Sequence, residues 1–179
     1  MLHIKTIKSH INKEDTIKLI KEIKNTNKIS AYSKSEWLNC KNIYLAYNQK
    51  GDLLGACLND DFSKDWTEIA VIYVFEEYRG MGVGKALFMA SLDDGIKRKR
   101  NLMVMSNNPK TITMMKHSNL EIYKSLKKLP EKYKKHNFVL NFWYELRWLC
   151  NFYRITEIIR KRIVYGKKKK MLYALRLNS

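Results

Sequence analysis

The sequence predicts an α/β domain. Three observations predict it: short apolar runs alternating with period two, helical stripes of apolar residues between them, and a glycine-rich turn at one strand-to-helix junction. The 179 residues suffice for one well-buried core, expected as a single domain over residues 1–179 with room for an appendage. With 45% hydrophobic and 29% charged residues, the composition excludes collagen-like and wholly disordered chains.

Leu2, Ile4 and Ile7 read as a first half-buried strand. A helix follows, because Asn12 precedes Glu14 and Asp15, acids that suit a first turn, and Ile17, Leu19, Ile20 and Ile23 recur at helical spacing. Ile29 to Leu38 predicts a second, shorter helix. Asn42–Tyr47 and Leu53–Leu58 form a hairpin about Gln49-Lys50-Gly51-Asp52, and Trp66–Phe75 is a longer strand rich in Ile, Val and Tyr. From Tyr78 the period becomes helical up to Lys97-Arg98-Lys99-Arg100, cations at the negative end of the helix. Leu102–Met105 is a short strand, Pro109 opens a helix through His117, and Asn119 stops it in the left-handed conformation. Leu120–Leu126 predicts another strand, ended by Pro130. Residues 131–165 read as mostly helical and aromatic, and 171–177 as a terminal strand that returns to the sheet.

The three cysteines, Cys40, Cys57 and Cys150, lie far apart without metal-ligand spacing, so neither a disulfide framework nor a metal site is expected. The first ten residues lack a signal-peptide pattern, which makes the cytoplasm the simplest location. Phe138–Ile159, the most apolar stretch, is interrupted by Glu145, Arg147, Arg154 and Glu157, which argues against a membrane span. Lys and Arg total 35 against 17 Asp and Glu, a formal charge of +18, and residues 101–179 alone carry 18 basic and 4 acidic side chains. Such a field suits nucleic acid, anionic lipid or an acidic protein; a solubilising lysine surface is the plain alternative.

The strongest local signal is Tyr78-Arg79-Gly80-Met81-Gly82-Val83-Gly84-Lys85. Glycines permit the tight turn and leave successive backbone N–H groups aimed at an anion before a helix, while Arg79 and Lys85 add charge. The turn lacks the Gly-Lys-Ser/Thr ending of a P-loop, and no acidic residue on a following strand completes a dinucleotide fingerprint. It resembles instead the Arg/Gln-x-x-Gly-x-Gly/Ala motif of the GNAT superfamily of acyl-CoA-dependent N-acetyltransferases, filled by Arg79, Gly82 and Gly84. Upstream, Val74-Phe75-Glu76-Glu77-Tyr78-Arg79-Gly80 is similar to the family's Val-x-Pro-Glu-Tyr-Arg-Gly, with Glu76 in place of proline. Downstream, Asn108 matches the Asn after the fifth strand, Met115 takes the aromatic position, and Asn119-Leu120 stands for Gly-Phe.

This resemblance, over residues 1–127 and the terminal strand, implies a mixed central sheet flanked by helices, with a basic, aromatic helical insert over 131–165 before the last strand. It implies acetyl-CoA as acetyl donor. The backbone at Val74 would hold the pantetheine arm and polarise the thioester carbonyl. The N–H groups of Gly80, Met81, Gly82, Val83, Gly84 and Lys85 would hold the pyrophosphate beside Arg79, and Asn108 would contact the cofactor arm. Glu68, six residues before Val74 on one strand, is the candidate base; alternation places both on one face. A surface Glu at a strand end is the alternative. A thioether at Met115 cannot protonate a departing thiolate, as the usual tyrosine does, and His117 and Tyr123 are nearby in sequence.

The expected reaction is direct attack on acetyl-CoA by a primary amine of a macromolecular acceptor: a protein lysine or N-terminus, or an aminoacyl-tRNA. A catalytically weak or inactive CoA-binding module whose insert binds nucleic acid or a partner protein is the alternative. In the insert, Phe142, Trp143, Trp148, Phe152 and Tyr153 interleave with Arg154, Arg160, Lys161, Arg162 and Lys167–Lys170. Over 131–170 that pattern suits contact with RNA or an acidic protein. Two helices packed on each other, or a homodimer seam, account for it equally.

Overall fold

A computed structural model describes residues 4–26, 32–166 and 170–178 of the chain. Strand β1 (Lys5–Lys8) leads into helix α1 (Lys13–Lys24), where the Asn12 side chain accepts the Asp15 N–H at 2.8 Å and caps the first turn. The part of the first predicted strand over 1–3 lies outside the described residues. Helix α2 (Lys34–Asn39) starts on a reciprocal cap in which Ser33 Oγ accepts the Glu36 N–H and Glu36 Oε2 accepts the Ser33 N–H. That cap places the start of the helix expected over 29–38 at Lys34; residues 29–31 lie outside the described residues.

Strands β2 (Ile43–Tyr47) and β3 (Leu53–Asp61) make the expected hairpin, with Gly51 at a φ of +86°. Strand β4 (Trp66–Val74), a 3₁₀ turn at Glu76–Tyr78 and helix α3 (Val83–Lys97) follow. Strand β5 (Asn101–Ser106) leads to helix α4 (Pro109–Lys116), capped by Asn108. Asn119 adopts the left-handed φ of +51° before strand β6 (Glu121–Tyr123). The strand expected over 120–126 is shorter because Leu126 leaves the sheet to enter the core beneath the insert. A 3₁₀ segment at Glu131–His136 and a π-helical turn at Phe138–Trp143 run into α5 (Tyr144–Leu149), then α6 (Phe152–Tyr165), and strand β7 (Leu172–Arg176) closes the fold.

The seven strands form one mixed sheet in the order β1-β2-β3-β4-β5-β7-β6. β4 and β5 are parallel and every other pair is antiparallel. On one face Ile69, Leu102 and Val104 pack against Leu87, Phe88 and Leu92 of α3 and Met115 of α4. On the other, Leu45, Val71 and Tyr73 pack against Leu19 and Ile23 of α1 and Trp37 of α2. The second face continues under the insert, where Trp66, Met103 and Leu175 meet Tyr133, Leu140 and Tyr144. No helix among the described residues is long and apolar enough to cross a membrane.

Candidate active site

The parallel strands define the site. β4 and β5 pair from Trp66 opposite Asn101 to Ile69 opposite Val104, and their ladder ends there although β4 runs on to Val74 and β5 to Ser106. The two strands therefore fork, and a fork at the carboxyl ends of parallel strands is where α/β sheets receive ligands. The Phe75 N–H bonds to the Leu54 carbonyl in β3 at 3.1 Å. By strand alternation the Val74 N–H and carbonyl point the other way, into the fork. The Val74 carbonyl accepts Arg79 Nε at 3.2 Å.

The glycine turn stands over the same end. Gly80 and Gly82 have φ of +87° and +86°, and a Cβ on either would meet no atom within 4 Å, so the backbone conformation and not crowding selects glycine. Gly82 is the N-cap of α3 and offers no side chain to the first turn, so the helix's leading N–H groups, through Lys85, face outward with the dipole behind them. A Cβ on Gly84 would lie 3.6 Å from Val74 Cγ2, which places the turn directly against the end of β4. Met81 is half-exposed and Lys85 exposed. Arg79 is turned back onto the Val74 carbonyl and to Glu76 at 3.6 Å. Asn108 follows β5 at the fork, where its Oδ1 accepts the Lys110 N–H at 3.0 Å.

Glu68 lies elsewhere than alternation predicts. β3 and β4 pair Leu58 with Val71 but Asn59 with Ile69, which makes Ala70 an extra residue. This β-bulge reverses the alternation. Ile69, Ile72 and Val74 consequently pack toward α3, whereas Glu68 faces the insert, where Tyr144 Oη donates to Glu68 Oε1 at 2.8 Å. The expected shared face of Glu68 and Val74 is thus corrected by one inserted residue. Nor is Glu68 a surface residue: it is 2% exposed, and its Oε2 has no hydrogen-bond partner among the described residues. Burial raises its pKa to about 7, against the pull of the Tyr144 hydroxyl, and Asp60, its neighbour on β3, pushes it further up.

The insert builds the wall around that carboxylate. Arg147 donates to both oxygens of Asp60, at 3.0 and 2.8 Å. Arg154 bonds Glu36 and lies over the rings of Tyr32 and Trp148, at 4.1 and 4.5 Å. Tyr32, whose hydroxyl is buried without a partner among the described residues, and Tyr144 both meet Trp148 edge-on. Sequence reasoning missed Tyr32, Asp60 and Tyr144. Of the cations expected to flank the insert, Arg154 and Lys161 are buried, and Lys161 Nζ caps α1 by donating to the carbonyls of Ile23 and Thr26. Lys167–Lys169 lie outside the described residues. Met115 is fully buried, in the core cluster that includes Leu87 and Phe88 of α3.

This sheet, forked at the parallel pair beneath a glycine turn, defines an acyltransferase fold. The Acetyltransferase (GNAT) family matches residues 14–118, well over half of the chain, and the chain belongs to that family. Among solved structures it is similar to N-acetylglutamate synthase from Neisseria gonorrhoeae, solved with coenzyme A and N-acetyl-glutamate, at 15% identity and a TM-score of 0.63. That match covers 99% of this chain, which spans 35% of the length of the synthase. A Mycobacterium tuberculosis protein solved with CoA is similar at 10% identity and a TM-score of 0.65, covering 97% of this chain and 98% of that one. Ard1 from Thermoplasma volcanium is similar at 19% identity and a TM-score of 0.55, covering 67% and 84%. Comparison with curated proteins gives no match.

Proposed function

We propose that the chain, acting as a single domain over residues 1–179, is an N-acetyltransferase that moves an acetyl group from acetyl-CoA to a primary amine, with Glu68 as general base. The observation that carries this reading is a buried carboxyl with a pKa near 7, walled by aromatic rings beside a forked β4–β5 pair. A base is most effective when its pKa lies near the working pH. Acetyl-CoA, when bound, supplies the thioester that the amine attacks. The glycines and uncapped α3 turn fit its pyrophosphate, held by N–H groups from Gly80 to Lys85. Val74 directs an N–H into the fork, where it orients the cofactor arm and polarises a carbonyl, and Asn108 borders the same opening. Glu68 accepts the proton of the incoming ammonium through Oε2, while Tyr144 holds Oε1. Positive charge across the chain disfavours free polyamines and favours an amine on a macromolecule, a protein lysine or N-terminus or an aminoacyl-tRNA.

Met115 favours a second reading, a CoA-binding module with weak transfer, since its burial leaves no acid at the position that would protonate the thiolate. Calorimetric titration with acetyl-CoA, followed by thiol release against lysine peptides, polyamines and charged tRNA, separates the two. Binding with release on one acceptor supports the enzyme. Binding without release on every acceptor favours the module, and no binding refutes both.

A further inference from the structure

Helix α6 is inside out. Its buried residues are Arg154, Glu157 and Lys161, all charged, and they face the body of the protein. Its outer stripe is apolar: Phe152 is 80% exposed, Ile163 79% and Ile159 52%. At 100° per residue these three lie within about 40° of one another, and Arg160 and Arg162 fall about 80° to either side. A surface helix of a globular protein has the opposite arrangement. The inward charges are satisfied: Arg154 pairs with Glu36, Glu157 with Arg160, and Lys161 with two carbonyls at the end of α1. Rotating the helix to bury its apolar stripe would break the contacts of Arg154 and Lys161 with α2 and α1, so the stripe is held outward. Leu149, 69% exposed at the end of α5, adjoins it across the turn.

Charge selects what covers this stripe. The chain carries +18, and the sequence runs from α6 through Gly166 directly into Lys167-Lys168-Lys169-Lys170. Two such chains, or this chain and a basic partner, repel each other at close range. An apolar stripe flanked by Arg162 and followed in the sequence by a lysine run matches the chemistry of a helix lying in the plane of an anionic bilayer. We propose that α6 docks the protein on an anionic lipid surface, with Phe152, Ile159 and Ile163 among the acyl chains and Arg162 and Lys170 at the headgroups. The helix is not long and apolar enough to cross the bilayer, and it lies along it.

The experiment is flotation of the full chain with vesicles of phosphatidylcholine alone or with roughly one third phosphatidylserine. The expected result is binding to the anionic vesicles only, weakened by salt, and reduced about tenfold or more in the double variant Phe152→Ser/Ile163→Ser. Circular dichroism checks that the variant folds; should it not, Ile159→Ser alone is used. Lack of binding to anionic vesicles overturns the proposal. So does equal binding by the variant, which would assign it to lysines alone. A dimer in sedimentation that the same substitutions dissociate, without vesicle binding, would make a second copy the occupant, and retention by RNA alone would make it nucleic acid.

Discussion

Replacing Glu68 by Gln tests the site through two independent readouts. The carboxyl rises from an ordinary 4.5 to about 7 on folding. At about 1.4 kcal/mol per pH unit, this is about 3 kcal/mol of preference for the protonated form in the native protein. Below pH 4.5 Glu68 is protonated in both states and costs nothing as a charge. Between pH 4.5 and 7 the unfolded chain loses its proton first, so the native state becomes less stable as pH rises, and above 7 the whole cost is present. Gln keeps the acceptor for Tyr144 Oη and has no charge to bury. Urea unfolding at pH 5 and pH 8 is therefore expected to show the variant gaining up to about 3 kcal/mol on wild type as pH rises, while other titrations cancel. The same substitution is expected to lower kcat by about 10²- to 10⁴-fold and to remove the rise of kcat through pH 7. Parallel stability curves would refute the buried ionisation. A normal kcat with the pH limb intact would refute the base.

Three further outcomes follow from particular contacts. Tyr144→Phe removes the hydrogen bond that holds the Glu68 pKa down, so the limb of the pH–rate profile is expected to move above 7. Arg154→Ala removes the ion-pair partner of Glu36 and uncovers the rings of Tyr32 and Trp148, while Arg147 still holds Asp60; urea unfolding is expected to show a loss of about 3 kcal/mol. Gly55→Ala places a Cβ 2.4 Å from the Tyr73 carbonyl oxygen and 3.1 Å from Val74 Cα, both backbone atoms, so β3 and β4 must separate. A stability loss of at least about 1–3 kcal/mol is expected, with weaker acetyl-CoA binding by calorimetry because Val74 moves with the strand.

The elements that were legible are those whose signal is local. The β2–β3 hairpin about Gly51, the start of α1 after Asn12, the start of α4 at Pro109, the left-handed Asn119 and the glycine turn before α3 are each written within a few residues. The bulge at Ala70 was not legible, because one extra residue among Ile, Val and Tyr leaves the strand signal intact while reversing its faces. The partners of Glu68 were hidden by distance: Tyr144 lies 76 residues away and reaches it only once the insert is folded on the sheet. α6 misled for a different reason. Arg154, Glu157 and Lys161 mark one face, and a charged face reads as solvent-exposed unless α1 and α2 are known to supply its partners.

Strand order carries one more consequence. β6 and β7 are sheet neighbours, antiparallel through Glu121–Leu175 to Tyr123–Tyr173, and residues 124–171 form the excursion between them. A short turn would join the two strands in the same register. The whole helical region is therefore a topological loop, whose length and shape can change without altering the order or register of the strands, provided that it still covers Trp66 and Met103. Because it also carries Tyr144 and the wall over Glu68, the proposed function divides two demands between separable stretches of chain: cofactor binding would fall to the sheet and its glycine turn, and acceptor contact to an attachment. Under the proposed function, swapping 124–171 between proteins with this strand order is expected to exchange acceptor preference while leaving cofactor affinity in place.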